Sequence, residues 1–246
     1  MKIILTGGGI GEKAIDAFSE FSKCLPNKKV LYIPLADDEM TLEENVNWIK
    51  GELRPYGIKN LDVVEFANEI TEERIDKVDG IFIGGGNAFQ LLSCLKSCKA
   101  FNILRKYFNS NKVFLGTSAG ATIFGENINS CLKDDLNIAA NDKNKINLEN
   151  TEGYNLLNNH SFFVHYKLKE NQLEQTKRKV HRILNLGTNA ICLPEESNLL
   201  ITENGVKVFG KKPIELVTKF ERKVVQPGET LSFELDVNCE VQNDKV

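Results

Sequence analysis

The chain is short of several residue types. It has 246 residues but only three histidines, six prolines, two methionines and one tryptophan. No run of apolar residues approaches the ~18–20 that a membrane-spanning helix needs, which excludes an ordinary helical membrane protein. The apolar stretch Met1–Thr6 meets Gly7-Gly8-Gly9 at once and is too short for the core of a signal peptide, so a cytoplasmic location is expected. Positive charge is not in excess: 31 Lys and Arg face 34 Asp and Glu, for a net charge of −3. The one basic cluster, Lys177–Arg182, is short, and nucleic-acid binding has little electrostatic support. The six cysteines form no C-x-x-C pair, and Cys94 and Cys98 stand four apart on a helical stretch. A zinc site is therefore not expected, and the cysteines are expected as free thiols in a chain large enough to fold without disulfides. No Lys-Ser/Thr pair follows a glycine cluster, as it would in a P-loop. Neither a metal nor an organic cofactor is implied.

What is present is an alternation of short apolar runs and helical stretches. Strands are expected at Lys2–Thr6, Lys29–Leu35, Leu61–Phe66, Gly80–Ile83, Lys112–Leu115, Ser161–Tyr166 and Ala190–Leu193. Helices are expected at about 11–23, at Thr41–Leu53 behind a Thr41/Glu44 capping box, after Thr71, at Asn87–Phe108, from Ala119 and over about 168–186. Continuous β-branched runs between helices indicate an α/β fold, with a mostly parallel sheet covered on both faces. Sites in such sheets form beyond the carboxyl ends of the strands, which places Gly7–Gly9, Gly84–Asn87 and Gly116–Ser118 on one rim. The stretch 126–158 is rich in Asn, Asp and Lys and reads as a polar flap or insertion. Beyond it, Asn204-Gly205 marks a hairpin between Leu199–Thr202 and Val206–Gly210, and Lys223–Val237 around Pro227-Gly228 reads as another. The region 205–246 is thus a C-terminal hairpin region. One domain, 1–246, is the simplest organisation.

Gly116-Thr117-Ser118-Ala119-Gly120 matches G-x-S-x-G. A serine between a buried strand and a helix must sit on a tight turn with small neighbours, and that turn lifts its hydroxyl out of the sheet. Such a serine needs a base, and the chain offers only His160, His165 and His181. His165 follows the apolar run Phe162-Phe163-Val164 and emerges at a strand end, whereas His181 lies in the basic stretch, on an expected solvated helix face. A base needs an orienting carboxylate, and Glu195 or Glu196 follows the strand Ala190–Leu193. The order Ser…His…Glu differs from the Ser…Asp/Glu…His of an α/β-hydrolase.

Together these residues resemble the serine peptidase family of dipeptidase E and cyanophycinase, whose fold is related to class I glutamine amidotransferases (flavodoxin-like). The resemblance runs from the first strand to about Gly210. It is carried by Phe82-Ile83-Gly84-Gly85-Gly86-Asn87-Ala88-Phe89-Gln90-Leu91-Leu92, by Gly116–Ala121, by Val164-His165-Tyr166 and by Leu193-Pro194-Glu195. It implies a Ser118–His165–Glu195 triad with an acyl-enzyme intermediate, and an oxyanion hole from the Gly86 and Ala119 N–H groups. Asn87 and Gln90 are expected to face the substrate, a small peptide or amide. The resembled dipeptidase grips an aspartyl side chain with an arginine soon after its histidine; here Thr176 or Lys177 stands near that position, with Arg178 and Arg182 nearby. Three other readings stay open: a hydrolase of another small amide or ester, a non-catalytic member binding a small ligand or a protein, and a glutamine amidotransferase, which typically carries cysteine at the elbow. A homodimer is compatible with all of them.

Overall fold

The computed structural model describes residues 1–36, 40–132, 142–166 and 173–235. Twelve strands are described: β1 (Lys2–Thr6), β2 (Lys29–Ile33), β3 (Asn60–Val63), β4 (Gly80–Ile83), β5 (Val113–Thr117), β6 (His160–Phe163), β7 (Asn189–Cys192), β8 (Ser197–Thr202), β9 (Gly205–Gly210), β10 (Ile214–Val217), β11 (Arg222–Val225) and β12 (Thr230–Leu231). The helices are α1 (Ile15–Lys23), α2 (Leu42–Leu53), α3 (Glu72–Asp76), α4 (Ala88–Lys96), α5 (Ala100–Lys106), α6 (Ala119–Thr122) and α7 (Leu173–Asn185). An eight-stranded sheet runs β12-β9-β8-β1-β5-β4-β2-β3. Its β1, β5, β4, β2 and β3 are parallel, and β8, β9 and β12 extend it antiparallel. A second sheet runs β11-β10-β7-β6.

The pleat divides the apolar strands of the large sheet between two cores. Ile3, Leu5, Leu31, Ile33, Ile81, Ile83 and Phe114 face α4, α5, α6 and the second sheet. Ile4, Val30, Tyr32, Phe82, Val113 and Leu115 face the other way, onto α1 and α2. Both faces are buried, so the strands read as continuous apolar runs rather than alternating ones. The capping box of α2 forms as expected: Thr41 Oγ1 accepts the Glu44 N–H and Glu44 accepts the Thr41 N–H.

Three expectations are corrected. The single helix expected over Asn87–Phe108 is two helices, because the chain turns at Ser97–Lys99, where Ser97 Oγ donates to the Cys94 carbonyl at 2.8 Å. Lys223–Val237 is not a hairpin: β11 pairs with β10 in the small sheet and β12 with β9 in the large one, so Pro227-Gly228 carries the chain between sheets. The stretch 126–158 is not wholly a solvated excursion, for its Ile128, Cys131, Tyr154, Leu156 and Leu157 are core residues; Tyr154 stacks on Phe101 at 4.0 Å between ring centres. Residues 133–141 lie outside the described ones, as do 236–246 with Cys239. The five described cysteines are free thiols.

The second sheet is tied together by a polar cluster that the sequence pattern did not reveal. Glu215 on β10 is buried. Its Oε2 accepts from the Tyr166 hydroxyl at 2.8 Å and from Arg222 Nε at 2.6 Å, and Arg222 also donates to the Tyr166 oxygen at 2.6 Å. Glu215→Ala should destabilise the protein by roughly 2–3 kcal/mol, below the range for a fully enclosed pair because Arg222 reaches solvent. Urea unfolding measures this; a loss under ~0.5 kcal/mol, the level of an ordinary surface substitution, would show the cluster to be idle.

Candidate active site

Ser118 sits between β5 and α6 with φ 51° and ψ −112°, a strained conformation for a residue with a side chain. The turn closes because its neighbours are glycines. A Cβ on Gly116 would lie 2.5 Å from the Gly120 carbonyl oxygen, and one on Gly120 would lie 2.2 Å from that of Ile83. The Ser118 carbonyl accepts from the Ala121 and Thr122 N–H groups at 2.9 Å, which pins the turn.

His165 lies just past β6, also at positive φ (52°), and its Nε2 is 2.8 Å from Ser118 Oγ. Glu195 lies just past β7, and its Oε1 is 3.0 Å from His165 Nδ1. Burial works against the Glu195 charge, but hydrogen bonds from Lys13 and His165 outweigh it and hold the carboxyl at about 2. An ionised carboxylate can only accept, so Nδ1 carries the ring proton and Nε2 is left to accept from the Ser118 hydroxyl. Glu196 turns away and is engaged by Lys211 and Lys212. His160 is a structural residue: its Nδ1 faces the Leu157 and Asn158 carbonyls at 2.7 Å and its ring packs edge-on to Phe233. His181 is exposed on α7.

The three segments converge on the end of β1. Ser118 N–H points to the Thr6 carbonyl at 3.4 Å, His165 N–H donates to the Gly7 carbonyl at 2.8 Å, and Gly7 N–H donates to the Ser197 carbonyl at 3.1 Å. A Cβ on Gly7 would come within 2.2 Å of the Pro194 carbonyl oxygen, and one on Gly8 within 2.3 Å of the His165 ring. These glycines make room for the histidine and for the chain that carries the glutamate, a purpose their sequence position alone does not disclose.

Ser118 and His165 open onto a cavity of about 580 Å³, bordered by the glycine loop Gly84–Gly86. Gly85 lies close to the serine, since a Cβ there would be 3.2 Å from Ser118 Cβ. Among the described residues, neither the Gly86 nor the Ala119 N–H has an acceptor. Asn87 lines the cavity, but its side chain caps α4, accepting from the Phe89 and Gln90 N–H groups and donating to the Lys143 carbonyl. Gln90 does not line this cavity; it borders a separate hollow, with its Nε2 3.4 Å from Cys94 Sγ. Lys177, Arg178 and Arg182 line another hollow and not the serine's. Among the described residues the lysines lining the serine cavity are Lys143 and Lys145, which sequence reasoning left inside the polar stretch. Opposite chemistry comes from Ile10, Met40 and Trp48, exposed apolar side chains that line the same cavity.

Residues 3–209 match the family model for peptidase family S51. The chain belongs to peptidase family S51. It is a serine peptidase of that family, which displaces the non-catalytic and amidotransferase readings. A peptidase E of Nostoc is 24% identical over 85% of this chain and 84% of its own. An uncharacterized peptidase of Listeria monocytogenes is 33% identical over 62% of this chain and 72% of its own. The fold is also seen in solved structures. A candidate peptidase E from Listeria monocytogenes superposes with a TM-score of 0.67 at 25% identity, covering 86% of this chain and 98% of that one. A peptidase from an acI-B1 Actinobacterium gives a TM-score of 0.70 at 17% identity, covering 94% and 96%. Among the described residues no helix is long and apolar enough to cross a membrane.

If the glycine end of β1 sets the ring of His165, Gly8→Ala should leave a folded protein whose activity falls by ~10²-fold, the cost of displacing a reacting group by about 1 Å. Thermal melting and kcat/KM on one peptide separate the two effects; unchanged kcat/KM would contradict the role given to Gly8.

Proposed function

We propose that this S51 peptidase hydrolyses short peptides through Ser118 as nucleophile, His165 as general base and then acid, and Glu195 as the residue that orients the imidazole. The observation that carries this is the unbroken line from Ser118 Oγ through His165 (2.8 Å) to Glu195 (3.0 Å) at the floor of a cavity. His165 Nε2 takes the hydroxyl proton as Ser118 Oγ bonds to the scissile carbonyl carbon. The carbonyl π pair moves onto oxygen, where the Gly86 and Ala119 N–H groups stabilise it; one such donor commonly contributes ~3–4 kcal/mol. The C–N bond then breaks, and the amine leaves with the proton from His165. Water, deprotonated by the same ring, attacks the ester and restores Ser118 with release of the acid.

The cavity suits a peptide of few residues. Lys143 offers positive charge for a substrate carboxylate, the acids of the same lining, Glu52 and Asp142, already accept from the Gly11 and Ala88 N–H groups, and Ile10, Met40 and Trp48 offer an apolar surface for a side chain. A free carboxylate close to the scissile bond is the feature we expect the preferred substrates to share. In a panel of dipeptides, tripeptides and their amidated forms, the free acids should turn over faster. Ser118→Ala should reduce turnover by ~10⁴-fold or more without loss of fold, as removal of a catalytic serine does elsewhere. Retained turnover in Ser118→Ala would sink the mechanism, and equal rates for acids and amides would sink the carboxylate preference.

A further inference from the structure

Lys13 has no part in the reaction as described, yet it touches it. It ends the short turn Gly11–Lys13 between β1 and α1, and its Nζ lies 2.5 Å from Glu195 Oε2. The other carboxylate oxygen, Oε1, receives His165 Nδ1. Each oxygen of one carboxylate thus has one partner, and the Ser118–His165–Glu195 line continues to a fourth residue. The placement is built into the backbone. A Cβ on Gly9, itself at φ +97°, would lie 2.7 Å from Lys13 Cβ. The third glycine of the run therefore admits the Lys13 stem. The side chain is about half exposed (49%), whereas that of Glu195 is 17% exposed. Lys13 does not line the cavity. The neighbouring acid, Glu196, is engaged by Lys211 and Lys212 on the far side.

We propose that Lys13 is a positioning residue of this peptidase, holding Glu195 by one oxygen so that the other stays aligned with His165. The inference rests on the reading of Ser118, His165 and Glu195 given above. A carboxylate anchored at one oxygen cannot rotate away from Nδ1. Among the described residues the groups facing Glu195 are Lys13 and His165, and Glu196 acts on Lys13 from beyond. With Lys13 present, the carboxyl stays ionised down to about 2, so it does not itself titrate across the working range of the enzyme. With the ammonium removed, the carboxylate loses its second anchor and can turn away from the ring.

The test is Lys13→Met, with Lys13→Arg as the conservative variant and Lys23→Met, a surface lysine on α1, as control. In Lys13→Met kcat should fall about tenfold, the cost of loosening a catalytic alignment, with KM nearly unchanged because Lys13 does not meet the substrate. Lys13→Arg should return kcat towards wild type, and Lys23→Met should not change it. Circular dichroism checks that each variant is folded. An unchanged kcat in folded Lys13→Met overturns the proposal, as does an equal defect in the Met and Arg variants. Ser118→Ala, run beside them, separates the failures: turnover there removes the triad reading itself, whereas a dead Ser118→Ala with a wild-type Lys13→Met removes only Lys13.

Discussion

The site depends on a close approach at the carboxyl end of β1, where the chain has no side chains for three residues. The elbow carrying Ser118, the loop carrying His165 and the loop carrying Glu195 all meet there, and each forms a main-chain hydrogen bond with Thr6 or Gly7 or lies beside one that does. Cβ atoms at Gly7 and Gly8 would sit inside 2.5 Å of the incoming chain and ring. Side-chain distances between serine, histidine and glutamate are thereby set mainly by backbone contacts to one central strand. Because β1 lies between β5 and β8 in the large sheet, that reference point is buried on both edges and both faces.

The second sheet supplies the remaining alignment. β6 and β7 run parallel and end together, so His165 and Glu195 leave neighbouring strands in the same direction. Behind His165, the Tyr166 hydroxyl is held by Glu215 and Arg222, which fixes the loop from the side away from the serine. The cavity side is different in kind. Its lysines come from the middle of the 126–158 stretch, which is docked on the start of α4: Asp142 Oδ2 accepts the Ala88 N–H and the Lys143 carbonyl accepts from Asn87. The lysines of the cavity lining thus come from a different element than α7, the helix after the histidine.

Local features were legible in the sequence, and features set by distant chain were not. The parallel strands could be read because burial on both faces leaves unbroken apolar runs, and the serine turn because only small residues fit a strand-to-helix reversal. His165 stood out by scarcity and by its place after an apolar strand. Spacing alone left Glu195 and Glu196 open and the family resemblance selected Glu195; what no local pattern shows is that Lys211 and Lys212, from the loop after β9, engage Glu196. The glycine run after β1 could be placed on the rim of the sheet, but not its role there, because its partners lie far along the chain. Pro227-Gly228 looked like a hairpin because a strand-turn-strand pattern does not say which sheet each strand joins. Glu215 was missed because one acidic residue inside a short apolar run looks solvent-facing. Lys143 and Lys145 were missed because the stretch around them is polar, and nothing local shows that its middle returns to the site.

The central claim is that Ser118 is activated by His165 at a formed site. Intact-mass spectrometry after exposure to a fluorophosphonate probe tests this most directly. One adduct on the wild-type protein, mapping to Ser118 and lost in His165→Ala, is the expected result. An adduct that persists at full rate in His165→Ala, or that maps to another residue, would contradict it.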